Sequence, residues 1–394
     1  MPWKEINVMD QRTDFILKVF KKNASFKSIC QDFGISSKTG YKWLNRFIEE
    51  GIDGLEDRSR RPHRHSRQLA EDIICRLVKF KLAHKSWGPK KIIDLYGRQY
   101  GLAPSKSSTH RVLQKAGLIE KRRRRQVKPN QRLVNRQEPK SPNDVWTVDF
   151  KGWWYTQDQH RCEPLTVRDD YSRYVLTAVP LKDSQTESVK AEFERLFGLY
   201  GMPKVIRSDN GAPFASTRAV LGLTRLSAWL VALGIQLDRI KPGCPYENGG
   251  HERMHKDIRF EVQAVTKGDL NHHAVSLELW RRDFNEKRPH EALNMKTPSE
   301  VYKKSPRKYQ GTPDKIDYPN TFVERKVNNV GQITIDDQRI YITSALRGWT
   351  IGLDPKNDHD FDVYFANLNL GSINLETCVF EYNPLASQAK KTNK

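Results

Sequence analysis

The acidic residues Asp149, Asp209 and Glu252 are the positions of this sequence whose type and setting could do chemistry. Asp149 closes the apolar run of VWTVDFKG, Asp209 follows VIR in VIRSDNGAPF, and Glu252 opens a helical pattern in PYENGGHERMHKD. Strand end, loop and helix start are places from which carboxylates on an α/β scaffold can converge on hard cations, which take oxygen ligands. Two such ions roughly 3.5–4 Å apart hold both the attacking and the leaving oxygen of an in-line phosphodiester displacement. Taken singly, each acid is more simply a surface or capping group; their joint placement carries the catalytic assignment. On this reading Asp149 bridges both ions, Asp209 ligates one and Glu252 the other. The expected cofactor is Mg2+, two ions per site, with Mn2+ as a substitute. Glu247 competes with Glu252 for the third place, and Asp169 and Asp170 of VRDDYSRY read as supports of a strand end.

Charge points to the partner. The chain carries 68 Lys+Arg against 47 Asp+Glu, a formal net charge of +21. An excess of that size implies a polyanion, because cations on the protein release the counterions condensed on phosphates. His255, Lys256 and Arg259 follow Glu252 by three, four and seven residues, a spacing that puts them on its helical face as a cationic strip for a DNA end. The run KRRRRQVK, with Arg122, Arg123, Arg124 and Arg125, reads as a DNA-contacting tail. The five cysteines, Cys30, Cys75, Cys162, Cys244 and Cys378, form no Cys-x-x-Cys pair, so neither a zinc knuckle nor a disulfide framework is expected. No apolar signal-like segment opens the chain and no window resembles a membrane span, so a reducing interior compartment is the expected setting. No GxxxxGK[ST] loop is present, so no nucleotide cofactor is expected.

At 394 residues the chain exceeds one ordinary core, and its texture changes along its length. Helices are expected at 11–21, 26–33 and 37–50, with stripes that include Phe15, Ile16, Val19 and Phe20, then Tyr41, Leu44, Phe47 and Ile48. Gly34 suits the turn and Ser36 or Ser37 the cap. This is a helix-turn-helix pattern that would offer Ser37, Lys38, Lys42 and Arg46 to a DNA groove; a plain three-helix bundle is the alternative. Helices at 69–84, 89–100 and 105–116 suggest a second such module, with Ser107 and Arg111 on its last helix. From 143 the order β-β-β-α-β-α-β-α, opening with a strand at 145–150, predicts a mixed sheet flanked by helices, including ones at 186–200 and 217–233 and a long one at 248–265. Short strands over 320–385 predict a small barrel of five or six strands. The expected chain is therefore multidomain: tandem all-α helix-turn-helix modules at 1–57 and 68–120, basic linkers at 58–67 and 121–142, an α/β core at 143–305, and a small all-β barrel at 320–385.

The segments WTVDFKG, DDYSRY, RSDNGAPF, PGCPYENGGHERMHKD and FNEKRPHEALNMKTPSEVY together resemble the core of DDE transposases and retroviral-type integrases. They are most similar to bacterial insertion-sequence transposases of the 481 type. The resemblance implies an RNase H-like fold over about 143–303 and two-metal DNA cleavage and strand transfer, with Asp149, Asp209 and Glu252 as the triad. It places Arg259 on the family's basic position and implies terminal-repeat and target DNA as partners and an oligomer, at least a dimer. The last two acids lie further apart than is usual in retroviral integrases, the extra residues falling in TRAVLGLTRLSAWLVALG. The zinc-binding domain of those enzymes is replaced here by helix-turn-helix patterns. The alternatives are a catalytically inactive DNA-binding regulator and an RNase H-type nuclease without strand transfer.

Overall fold

A computed structural model describes residues 7–59, 69–119, 138–216, 219–240 and 248–383, in two compact units, Met1–Gln68 and Leu69–Lys394. Arg122 to Arg125, Glu247, Cys244 and most of both linkers lie outside the described residues.

The first unit holds α1 (Val8–Phe20), α2 (Phe26–Asp32) and α3 (Ser37–Glu50). Ser25 and Ser36 cap the second and third helices, their hydroxyls accepting from the backbone of Ser28 and Thr39. Gly34 takes φ +63 at the turn, a conformation that a side chain would strain. Phe15, Ile16, Ile29, Cys30, Trp43 and Leu55 form the core. Phe20, Tyr41 and Ile48 were expected inside and are more than half exposed. Trp43 takes the inward place on α3 instead, because the Arg12 guanidinium stacks 3.9 Å from its ring centroid and covers its outer face.

The second unit opens with α4 (Glu71–Ala83), α5 (Pro89–Tyr100) and α6 (Lys106–Lys115), packed around Leu77, Trp87, Ile92 and Tyr96. Ser105 caps α6, and Gly117 with φ +69 follows its end. There follow β1 (Val145–Phe150), β2 (Trp154–Tyr155), β3 (Arg161–Cys162), β4 (Pro164–Asp169), β5 (Val175–Pro180), α7 (Thr186–Tyr200), β6 (Val205–Ser208), α8 (Arg225–Ala232), β7 (Gln236–Arg239), α9 (Gly249–Ile258), α10 (Leu270–Glu286) and α11 (Pro298–Val301). Five strands make one mixed sheet in the order β5-β4-β1-β6-β7. The hairpin-linked strands run antiparallel, and α7 carries the crossover that lets β6 lie parallel to β1. Trp146, Val148, Leu165, Val167 and Ile206 share a core with Phe193, Leu196 and Phe197 of α7. Met254 and Ile258 of α9 pack with Leu277, Trp280 and Phe284 of α10 in a separate cluster that reaches Val175 and Ala178 of β5.

The helix expected at 217–233 is shorter. Gly222 takes φ +66, and Thr224 starts α8 afresh through a reciprocal cap with Ser227. The extra length between Asp209 and Glu252 has a structural use here. Leu226, Trp229 and Leu230 of α8 enter the sheet core, while Leu223, Ala228 and Val231 enter the core of the C-terminal all-β part. A helix apolar on all sides is one buried between two layers.

That C-terminal part comprises β8 (Val323–Lys326), β9 (Gln332–Ile335), β10 (Gln338–Tyr341), β11 (Thr350–Pro355), β12 (Asp360–Phe365), β13 (Leu368–Asn374) and β14 (Val379–Tyr382). They form a five-stranded sheet, β14-β13-β12-β11-β8, and the β10-β9 pair. Seven strands stand where five or six were expected, and β13 (LNLGSIN) is rich in Asn and Gly, which are depleted in strands. Among the described residues no helix is long and apolar enough to cross a membrane.

The second helical module is fastened to the sheet domain through Arg288, which is buried. Its guanidinium donates to Glu261 at 3.3 Å, lies 2.8 Å from Asp257 in an ion pair, and sits 6.0 Å from the Trp87 ring centroid. Ser86 also donates to Glu261, and Arg98 reaches Glu300 at 2.9 Å. Removing one partner of a buried pair strands the other charge, at a cost of roughly 3–5 kcal/mol. Arg288→Met should therefore lower the urea unfolding free energy of this unit by about that amount; a loss below about 1 kcal/mol, the range of an exposed pair, would mean that the cluster is not buried in solution.

Candidate active site

The sheet register builds the site. Thr147 pairs with Arg168 on β4 and with Arg207 on β6, while Asp149 pairs with Thr166. Side chains directly opposite in a sheet point to one face, so Asp149, Thr166, Thr147, Arg168 and Arg207 share a face, away from Trp146 and Val148. Continued two residues along both parallel strands, the register brings Asp209 level with Asp149. Asp209 is exposed just past the end of β6. Its carboxylate accepts from the Gly211 amide at 3.2 Å, and Asn210 ties the loop to the Ile240 carbonyl at 2.6 Å.

α9 is held against β4 at two points. At its start, Gly250 sits against the Arg168 guanidinium, where an added Cβ would lie 2.1 Å from Nη2. Arg168 cannot yield, being buried and 2.8 Å from Asp170. Asp170 also accepts from Arg173 and Arg207, each at 3.1 Å, and Arg207 reaches on to Asp238 at 2.7 Å. One turn further along α9, His255 Nε2 lies 2.8 Å from Thr166 Oγ1, which donates to the Asp149 carbonyl at 2.8 Å. The hydroxyl has one proton and gives it to that carbonyl, so His255 is the donor to the hydroxyl and carries its proton on Nε2. Burial, then the charges of Lys151 and Arg168, lower the His255 pKa to about 3. The ring is therefore neutral, with its proton on Nε2.

Asp149 is the electrostatic centre. Its Oδ2 accepts from Asn248 Nδ2 at 3.2 Å and lies 4.0 Å from His255 Nδ1. Burial, then the charges of Asp209 and Glu252, raise its pKa to about 7, against a lowering by the Phe150 amide. Among the described residues neither Asp209 nor Glu252 has an ion-pair partner, and no three His, Cys, Asp or Glu side chains already enclose a metal position. The donor set fits hard divalent cations nonetheless. It is all oxygen, anionic, and short of the positive charge that would relieve Asp149.

Glu252, Lys256 and Arg259 are exposed along α9 and the π-helical turn Arg259–Gln263 that continues it. His255 was expected in the same cationic strip, but it turns to the sheet and is neutral. Asp169 supports the strand end as expected: its carboxylate accepts from the amides of Asn143 and Ser172, both at 2.7 Å. Sequence reasoning missed Thr166, Asn248 and the arginine cluster on Asp170, which depend on strand pairing. In the first unit Ser37, Lys38 and Lys42 are exposed, and Arg46 lies 5.1 Å from the Trp43 ring. In the second, Ser107 and Arg111 are exposed on α6.

The chain matches models of known domains in an order that follows this architecture: a helix-turn-helix domain at residues 11–63, a homeodomain-like domain at 39–113, and the integrase core domain at 139–245 and again at 233–298. The insertion element IS407 uncharacterized 31.7 kDa protein of Burkholderia multivorans (strain ATCC 17616 / 249) is 30% identical over 234 residues, which span 58% of this chain and 80% of that protein. The insertion element IS476 uncharacterized 39.2 kDa protein of Xanthomonas euvesicatoria is 26% identical over 236 residues, 58% of this chain and 64% of that protein. Two solved structures are similar at a lower level. The HTLV-2 integrase catalytic core domain in complex with magnesium is 16% identical and matches 42% of this chain and 100% of its own, with a TM-score of 0.34. The simian T-cell lymphotropic virus intasome in complex with PP2A regulatory subunit B56 gamma is 15% identical and matches 74% and 97%, with a TM-score of 0.37. The chain belongs to the integrase-core family of insertion-element DDE transposases. Its placement in the 481 type rests on the sequence motifs alone.

Gly250→Ala should push the start of α9 off Arg168 and displace Glu252. A misplacement of about 1 Å costs roughly 100-fold in rate, so activity on DNA should fall by about that factor while DNA binding holds. Wild-type activity in the alanine variant would mean that this contact does not position the helix.

Proposed function

We propose that this transposase binds the terminal repeats of its mobile element, cleaves the 3′ ends with water, and joins the new 3′-OH groups to target DNA at one site made by Asp149, Asp209 and Glu252. The observation that carries the proposal is the sheet register, which sets Asp149 level with the loop that holds Asp209, with Glu252 on α9 close enough that the two acids and burial together raise the Asp149 pKa to about 7. Three carboxylates that share one region, with no ion-pair partner for Asp209 or Glu252 among the described residues, suit Mg2+, or Mn2+ in its place, with two ions per site. When bound, these ions would neutralise the scissile phosphate and activate the attacking oxygen. The magnesium named with the HTLV-2 core domain is consistent with that choice.

The protein's own residues do the rest. Asn248 orients the Asp149 carboxylate, and the His255–Thr166 bond fixes α9 relative to β1. Lys256 and Arg259, on the exposed side of the same helix, are placed to meet phosphates of the DNA end. The helix-turn-helix modules at 1–57 and 68–120 would read the end through Ser37, Lys38, Lys42 and Arg46 and through Ser107 and Arg111, with Arg122 to Arg125 on the backbone between modules. Pairing two ends requires at least a dimer.

The test is a strand-transfer assay in Mg2+ on DNA carrying the repeats that flank this gene. Wild type should yield joined products, while Asp209→Asn should yield none and bind the ends within a few-fold of wild type. End binding with no cleavage or joining by wild type would identify a DNA-binding regulator instead. Binding should also weaken steeply with salt. Six or more neutralised phosphates give a log–log slope of about −5 or steeper, and a flat response would contradict the broad basic footprint.

A further inference from the structure

Just past Asp149 the chain enters the small hairpin of β2 and β3, whose aromatic side chains alternate. Trp154 is buried against His273, with ring centroids 5.8 Å apart. Its neighbours Trp153 and Tyr155 point outward, 51% and 60% exposed. These two rings meet edge to face at 5.1 Å, and the Arg161 guanidinium lies 5.1 Å from the Trp153 centroid. Arg161 is the cross-strand partner of Tyr155 and is held by Glu163 at 2.7 Å. Lys151 lies two residues before Trp153, and its ammonium sits 5.6 Å from the Trp154 ring.

Two exposed aromatic rings edged by an arginine suit a partner that is flat, π-faced and anionic. Nucleobases on a phosphate backbone have that chemistry, and stacking on them tolerates any sequence. An apolar protein surface would leave Arg161 desolvated, on a chain of net charge +21. Reach limits which bases qualify. Four residues span at most about 14 Å, so Trp153 lies within that distance of Asp149. At about 3.4 Å per nucleotide along a strand, this covers about four nucleotides on either side of the reacting phosphate. Inside a duplex a paired base offers only its edges to the grooves, so stacking away from a blunt end requires a base that has left its pair.

We infer that Trp153 and Tyr155, with Arg161, form a stacking site for an unpaired nucleobase within about four nucleotides of the reacting phosphate. The inference rests on the assignment of phosphodiester transfer to Asp149, Asp209 and Glu252. The base comes from the element end or from the target, and the chemistry is the same for both.

Photocrosslinking of the full-length protein in Ca2+ decides it without requiring turnover. One set of duplexes carries the repeats that flank this gene, with 5-iododeoxyuridine placed singly at each nucleotide near the cleaved phosphate. A second set, branched to mimic the joined product, carries the label on the target strands. Crosslinks mapped to Trp153 or Tyr155 are expected from one set, which names the source of the base. The double substitution Trp153→Leu, Tyr155→Leu should abolish them and slow joining in Mg2+ by roughly 10-fold or more, whereas Trp153→Phe should retain both. Crosslinks that map only elsewhere, or leucine variants that join DNA at the wild-type rate, would overturn the inference. So would a wild type without these crosslinks whose oligomer dissociates on the leucine substitutions, since the surface would then be a protein interface. A wild type that joins no DNA refutes the phosphodiester-transfer reading, while the crosslinks still decide the stacking site.

Discussion

Mutual repulsion among carboxylates is the constraint around which this molecule is organised. Asp149, Asp209 and Glu252 are close enough for the second and third to raise the pKa of the first. Unless something holds them, side chains of like charge move apart into water. What holds them is a backbone frame beneath: the β4-β1-β6 register fixes the two aspartates, and α9 brings the glutamate over the same face. α9 is itself fixed at Gly250 on Arg168 and at His255 on Thr166. Its loading is one-sided, with neutral His255 turned to the sheet and Glu252, Lys256 and Arg259 turned outward. The acids and cations stay where a phosphate backbone can reach them.

The same logic extends outward. Arg168 is immobile because Asp170 also gathers Arg173 and Arg207, so the wall behind the site is a buried cluster of alternating charge. Arg288 plays the matching part on the other side, joining Asp257 of α9 and Glu261 of the π-helical turn to the Trp87 ring of the helical module. The helix that carries Glu252 is thus connected through one buried arginine to a module with a helix-turn-helix pattern. α8 does comparable work between the sheet and the C-terminal strands.

Much of this was legible in the sequence, and the rest was hidden for physical reasons. β1 at Val145–Phe150 and α7 at Thr186–Tyr200 begin and end where alternation and helical period place them, because local pattern and tertiary burial agree there. The settings of the three acids, at a strand end, in the loop after a strand and at a helix start, were legible. Their supports were not: that Thr166 lies opposite Asp149, or that Arg168 lies under Gly250, is a matter of strand register and helix docking, which sequence spacing does not encode. His255 was misread as part of the cationic strip because spacing defines a broad helical face, and only the tilt of α9 decides which edge of that face turns inward. α8 was overextended because a helix buried on both sides lacks the polar stripe that would mark its ends. Arg122 to Arg125 remain a sequence expectation.

The most direct measurement is anomalous diffraction from crystals of the DNA-bound protein grown with Mn2+. The account predicts two manganese peaks per active site, both against the Asp149 carboxylate, one also touching Asp209 and the other Glu252. Manganese bound elsewhere, with the Asp149 carboxylate still held by Asn248 and free of metal, would contradict it.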